Sequence, residues 1–227
     1  NESEKNKNLS LDSKLVKNRI VTDMFNKCVK SKPSPIYNKK FIKRVTLGNF
    51  EDDINKISGV DWIIEVVVEK LDIKKTVFDL VEKHRTKGTL VSSNTSGIPI
   101  KLMNEGRSDD FKKNFAITHF FNPPRYLNLF EVIPGPDCDE SILNFLMDYG
   151  RKFLGKTSVL AKDTPAFIGN RIGTFGIQSL FHQVKNGEFS VEEVDKLTGT
   201  AIGRPKSATF RTADVVGLDT LCHVATG

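Results

Sequence analysis

Hydrophobic positions recur along this chain with two different periods, and the change from one to the other divides it. Between residues 62 and 160 short apolar runs alternate with amphipathic stretches. Residues 62–68, WIIEVVV, are almost continuous β-branched sequence, the pattern of a strand covered on both faces. Glu65 inside it needs a partner or a strand end. Residues 71–83 place Ile73, Val77, Leu80 and Val81 at i, i+4, i+7 and i+8, one face of a helix that ends before Gly88. Residues 89–93 predict the next strand, so the spacing is that of a βαβ unit with a right-handed parallel crossover. A helix over 98–105, a parallel strand over 115–119 and an antiparallel strand over 127–133 follow. Next come a helix over 139–153, with Ile142, Leu143, Leu146 and Phe153 inward, and a last strand over 157–160.

After the linker 161–164 the strand period disappears. Ile172, Phe175, Leu180 and Val184 recur as a helical stripe over 170–185, closed by Gly187. Ser190 with Glu193 has the spacing of a capping box, and 212–225 predicts a third helix. Ahead of residue 62 the pattern predicts a long amphipathic helix over 9–32, with Leu15, Ile20, Met24, Cys28 and Val29 on one face. Lys32-Pro33-Ser34-Pro35 stops it. A short strand over 44–47 and a short helix over 51–57 complete this part.

The chemistry concentrates in residues 115–132, FAITHFFNPPRYLNLFEV. Two apolar runs are separated by Asn122-Pro123-Pro124, which breaks the ladder because proline has no N–H to donate. A reversal centred on Arg125 lays the runs antiparallel and sets His119 opposite Glu131. A carboxylate on one imidazole nitrogen makes the other a better base. Taken alone, the same residues also read as a solvated strand-end histidine and an unrelated glutamate.

Composition narrows the class. Hydrophobic residues are 38% and charged residues 27% of 227, a globular balance, and no apolar run approaches the ~20 residues of a membrane span. The first residues are polar, with no initiator Met and no signal-peptide pattern. Net charge is 34 − 28 = +6, which suits a polyanionic ligand such as coenzyme A or is a solubility margin. The basic residues are dispersed without aromatic interleaving, which argues against nucleic acid. Cys28, Cys138 and Cys222 form no C-x-x-C pair, pointing to a reducing, cytoplasmic setting. His84, His119, His182 and His223 show no metal-ligand spacing.

Strand–SNTS at 93–96, strand–HFFNP at 119–123, Glu131-Val132, and KDTPAFIGNR at 162–171 follow one another in an order that resembles the L-3-hydroxyacyl-CoA dehydrogenase family. The RTADVVGLD ending at 211–219 is most similar to the dehydrogenase portion of multifunctional fatty-acid β-oxidation proteins. The resemblance implies an α/β fold with a Rossmann-like, mostly parallel sheet, here lacking its first strands, followed by an all-helical C-terminal domain. The expected division is 1–161 for the NAD-binding domain and 162–227 for the start of a helical dimerisation domain. It implies NAD as cofactor, an acyl-CoA substrate, and a homodimer formed through the helical domain. Glu69, Lys74, Asn94, Ser96 and Asn122 become cofactor contacts. His119 is the candidate base, Glu131 its orienting carboxylate, and Ser96 and Asn170 the groups that hydrogen-bond the substrate oxygen. The helix over 9–32 becomes an excursion that grips coenzyme A.

Two departures stand out. The family's G-x-G-x-x-G strand–turn–helix has no match in this sequence, so these residues on their own are expected to bind NAD weakly and not to turn over. The family's usual glycine in the linker motif is Ala166, a change expected to alter little. Three functions compete: oxidation of L-3-hydroxyacyl-CoA in fatty-acid β-oxidation, the same chemistry on 3-hydroxybutyryl-CoA in butanoate metabolism or on a small hydroxy acid, and a non-catalytic acyl-CoA-binding or dimerisation module.

Overall fold

The computed structural model describes residues 9–226 apart from 33 and 37, with the main chain alone at 223 and 226. The chain separates into two compact units. One comprises the described part of Asn1–Asp61 with Thr76–Thr89, the other Trp62–Lys75 with the described part of Leu90–Gly227.

In the first unit the expected long helix is two, α1 (Lys14–Lys17) and α2 (Arg19–Lys30), broken at Asn18. Asn18 leaves the helical ψ range, and its side-chain oxygen accepts from Asn49 Nδ2 at 2.8 Å. An asparagine that bonds a remote loop competes with helix propagation. No α2 residue is buried, so the apolar stripe has no core to face. The strand expected over 44–47 is absent: a 3-10 helix, Lys39–Arg44, leads into extended chain that pairs with no strand among the described residues. The expected helix over 51–57 is a 3-10 turn shifted to Ile54–Gly59.

The second unit carries a five-stranded sheet: β1 (Trp62–Glu65), β2 (Leu90–Ser93), β3 (Phe115–Phe120), β4 (Leu129–Pro134) and β5 (Thr157–Leu160), adjacent in that order. The helix α3 (Leu71–His84), shared between the units, links β1 to β2. The β1–β2, β2–β3 and β4–β5 pairs are parallel and β3–β4 is antiparallel. β1 is shorter than the apolar run that encodes it, and Ile64 is 43% exposed. It is an edge strand among the described residues, not one covered on both faces.

Short helices α4 (Ile100–Asn104) and α5 (Asp109–Lys113) precede β3. The pattern gave no sign of α5, which one turn and a Ser108 N-cap suffice to hold. α6 (Glu140–Lys152) begins at its Asp139 cap and buries Leu146 among Leu90, Ala116, Phe130 and Val132. Phe153 is not inward: it is 74% exposed and stacks on Tyr149. Trp62 Nε1 and Thr118 Oγ1 both donate to Ser92 Oγ, so that buried hydroxyl is paired, whereas the buried Ser158 Oγ of β5 has no partner among the described residues.

The helical part follows β5. α7 (Gly169–Lys185) and α8 (Val191–Thr198) are separated by Gly187, and the Ser190–Glu193 capping box is formed. The last expected helix is two, α9 (Phe210–Val216) and α10 (Leu218–Thr226), because Gly217 sits at φ +95° and turns the chain.

Candidate active site

The β3–β4 ladder sets His119 directly opposite Glu131, with Phe120 opposite Phe130. The connecting turn contains the cis Asn122–Pro123 peptide. The Lys156 ammonium holds that turn, donating to the carbonyls of Pro124 and Leu127. Within the pair, His119 Nδ1 lies 2.7 Å from Glu131 Oε2, and the two residues are 5% and 0% exposed.

The second oxygen of Glu131 is held from another direction. Ile168 N–H and Gly169 N–H, at the start of α7, donate to Oε1 at 3.0 and 2.7 Å. Burial raises the Glu131 pKa, but the hydrogen bonds from His119, Gly169 and Ile168 outweigh it and hold the carboxyl below its ordinary 4.5. Glu131 is therefore an ionised acceptor at neutral pH. An acceptor there requires Nδ1 of His119 to carry a proton, so that in the neutral imidazole the free lone pair is on Nε2. Phe121 and Phe167 flank the imidazole, their ring centroids 4.5 and 5.5 Å from it.

The main chain that delivers those two amides is strained. Ala166 and Phe167 are consecutive left-handed residues at φ +60° and +46°. A left-handed alanine costs about 1–2 kcal/mol that glycine does not. The family's usual glycine would not carry that strain at this position.

The residues matched to cofactor contacts fall into two groups. Glu69 is exposed, and its Oε1 accepts from Thr95 Oγ1 and from Ser96 N–H at 2.9 Å. Among the described residues the Ser96 hydroxyl has no hydrogen-bond partner, and neither do the amides of Asn122 and Asn170. Lys74 is instead committed inward, and Asn94 is half-buried with its side-chain oxygen taken. Lys74 is 1% exposed, with Nζ 3.0 and 2.9 Å from the oxygens of buried Glu65 and 3.4 Å from Glu69 Oε2. Ser93 Oγ and Val67 N–H complete the Glu65 shell, which answers the need for a partner inside the strand. Asn94 Oδ1 accepts from Phe120 N–H at 2.9 Å and ties the end of β2 to the residue after His119.

Beyond Ser96 a cavity of about 610 Å³ is walled by Glu69, Gly97, Leu102, Ala166 and Val224 among others. A Cβ on Gly97 meets nothing within 4 Å, so main chain faces open space there. An exposed carboxylate, an unpaired hydroxyl and a bare glycine at the carboxyl ends of β1 and β2 fit the nicotinamide end of a dinucleotide. The histidine–glutamate pair was legible in the sequence. Lys156, Phe121, Phe167 and the two main-chain donors were not, because a lysine on carbonyls and a pair of amides leave no side-chain signature.

Residues 12–164 match the family model described as 3-hydroxyacyl-CoA dehydrogenase, NAD binding domain. Residues 167–227 match that of the 3-hydroxyacyl-CoA dehydrogenase C-terminal domain. A probable 3-hydroxyacyl-CoA dehydrogenase of Bacillus subtilis (strain 168) is 54% identical over 222 residues, which is 98% of this chain and 28% of that protein. One of Deinococcus radiodurans is 44% identical over 200 residues, 88% of this chain and 58% of that protein. The chain therefore spans well under two thirds of either relative. The crystal structure of M. tuberculosis FadB2 superposes with a TM-score of 0.78 at 28% identity, covering 92% of this chain and 72% of that one. On these matches, and on a sheet followed by helices as the family requires, the chain belongs to the 3-hydroxyacyl-CoA dehydrogenase family.

Proposed function

We propose that the protein oxidises L-3-hydroxyacyl-CoA to 3-ketoacyl-CoA with NAD, in fatty-acid β-oxidation, and that His119 is the general base. The observation that carries this reading is the buried His119–Glu131 contact of 2.7 Å, with Glu131 ionised and anchored on its far side. NAD, when bound, supplies the hydride acceptor. His119 Nε2 takes the hydroxyl proton of the substrate as the carbon is oxidised, and Glu131 stabilises the imidazolium that results. Ser96 and Asn170, whose side chains have no partners among the described residues, donate to the substrate oxygen as its charge develops. Glu69, Ser96, Asn94 and Asn122 form the nicotinamide rim, and Lys74 serves it by holding Glu69. Residues up to 161 form the cofactor domain and those from 162 the helical domain, which pairs with a second copy.

The test is NADH formation from L- and D-3-hydroxyacyl-CoAs of graded chain length, by a form of the protein that binds NAD. Turnover of the L series across medium and long chains is the expected result. Turnover of 3-hydroxybutyryl-CoA alone moves the protein to butanoate metabolism, and turnover of none of them overturns the reading.

A further inference from the structure

Glu131 has two oxygens and two custodians: Oε2 faces His119 Nδ1, and Oε1 takes the N–H groups of Ile168 and Gly169. A carboxylate held on one side only is free to rotate about its last bond, and its hydrogen bond to the histidine is then one orientation among several. Two donors on the far oxygen remove that freedom. The donors belong to a segment that does not adopt its conformation by local preference. Ala166 and Phe167 are left-handed in succession, and such a geometry persists only where surrounding structure over-determines it. The Phe167 N–H donates to Thr164 O at 3.0 Å, and the Phe167 side chain is 3% exposed, with its ring 5.5 Å edge-on from the His119 ring. Gly169 adds a steric condition, since a Cβ there lies 2.6 Å from Phe121 Cζ and 3.0 Å from Leu129 Cδ2.

We propose that Phe167, Ile168 and Gly169 form a positioning element of the catalytic site: the Phe167 ring seats against His119, and the two main-chain donors lock Glu131 so that its other oxygen faces the imidazole. This rests on the reading of His119 as the base. The helical part of the chain thereby sets the orientation of a pair that lies wholly on the sheet. Strain in the linker is the means by which the first turn of α7 arrives with two free N–H groups aimed at one carboxylate oxygen.

The experiment reads the pair directly and does not depend on turnover. Amide hydrogen exchange at Ile168 and Gly169, and the imidazole ¹⁵N resonances of His119, are compared in the wild type, Phe167→Ala, Phe167→Leu and Glu131→Gln. The expected result for Phe167→Ala is at least a tenfold loss of protection at both amides, with the His119 Nδ1 resonance moved toward that of exposed His182, while β3 and β4 amides stay protected. Phe167→Leu restores most of both signals. Glu131→Gln keeps the amide protection, because its carbonyl still accepts, but changes the histidine signal. Should Phe167→Ala fail to fold, replacing Gly169 by glycolic acid removes one N–H and adds no atom, and the same His119 shift is expected. A His119 resonance unchanged both by Phe167→Ala and by loss of the Gly169 N–H overturns the proposal. Normal turnover in His119→Ala, by contrast, removes the base assignment and leaves the locked carboxylate standing.

Discussion

At the scale of single residues, charge and main-chain geometry decide the behaviour of the site. Glu131 is held below its ordinary 4.5 in the folded protein, so it contributes stability that is fully present above that pH. The contribution is lost as pH falls through the depressed folded value. The stability difference between wild type and Glu131→Gln should therefore narrow below pH 4.5, as followed by denaturant unfolding; a difference that stays constant through that range argues against an ionised Glu131. At Ala166 two effects compete. Glycine relieves about 1–2 kcal/mol of left-handed strain but raises unfolded-chain entropy by about 0.4–1 kcal/mol. Ala166→Gly is thus expected to leave stability unchanged or raise it by up to about 1.6 kcal/mol, and Ala166→Val to lower it by more than 1 kcal/mol. Equal melting temperatures for the two variants contradict the left-handed assignment.

At the scale of elements, the hairpin of β3 and β4 was readable because two prolines leave one place for the reversal, and that fixes which residues face each other. His119 and Glu131 follow from that register. The inward lysine was not readable: Lys74 sits on an ordinary helical surface pattern, and only the neighbouring strand shows that a buried glutamate waits for it. Asn18, Phe153 and Gly217 were misjudged for a common reason. Periodicity registers which faces are apolar but not where a remote hydrogen bond, a stacked ring or a left-handed glycine ends an element. One close approach carries a prediction of its own. Gly150 of α6 lies so near β4 and β5 that an added Cβ collides with Ser158 Oγ and the Phe130 ring. Gly150→Ala should cost about 1–3 kcal/mol by overpacking. A neutral variant in thermal unfolding shows that α6 can move off the sheet freely.

At the scale of the whole molecule, the sequence pattern separated a sheet-bearing part from a helical one, and the family models match on either side of residues 165 and 166. The helical part exposes Ile172, Phe175, Val215 and Leu218, at 67%, 73%, 82% and 56%. Apolar stripes of this size on adjacent helices call for a partner. Light scattering is expected to report a dimer, with Phe175→Glu shifting it to monomer; a monomer at high concentration in the wild type contradicts that assembly. No helix among the described residues is long and apolar enough to cross a membrane.

The central claim is that a histidine at the end of β3, locked by one glutamate, removes the substrate's hydroxyl proton. The most direct test is the turnover of His119→Ala with an L-3-hydroxyacyl-CoA and NAD, in a catalytically active form of the protein. The account predicts a kcat lower by about 10²–10⁴-fold with KM little changed. A kcat near that of the wild type contradicts it.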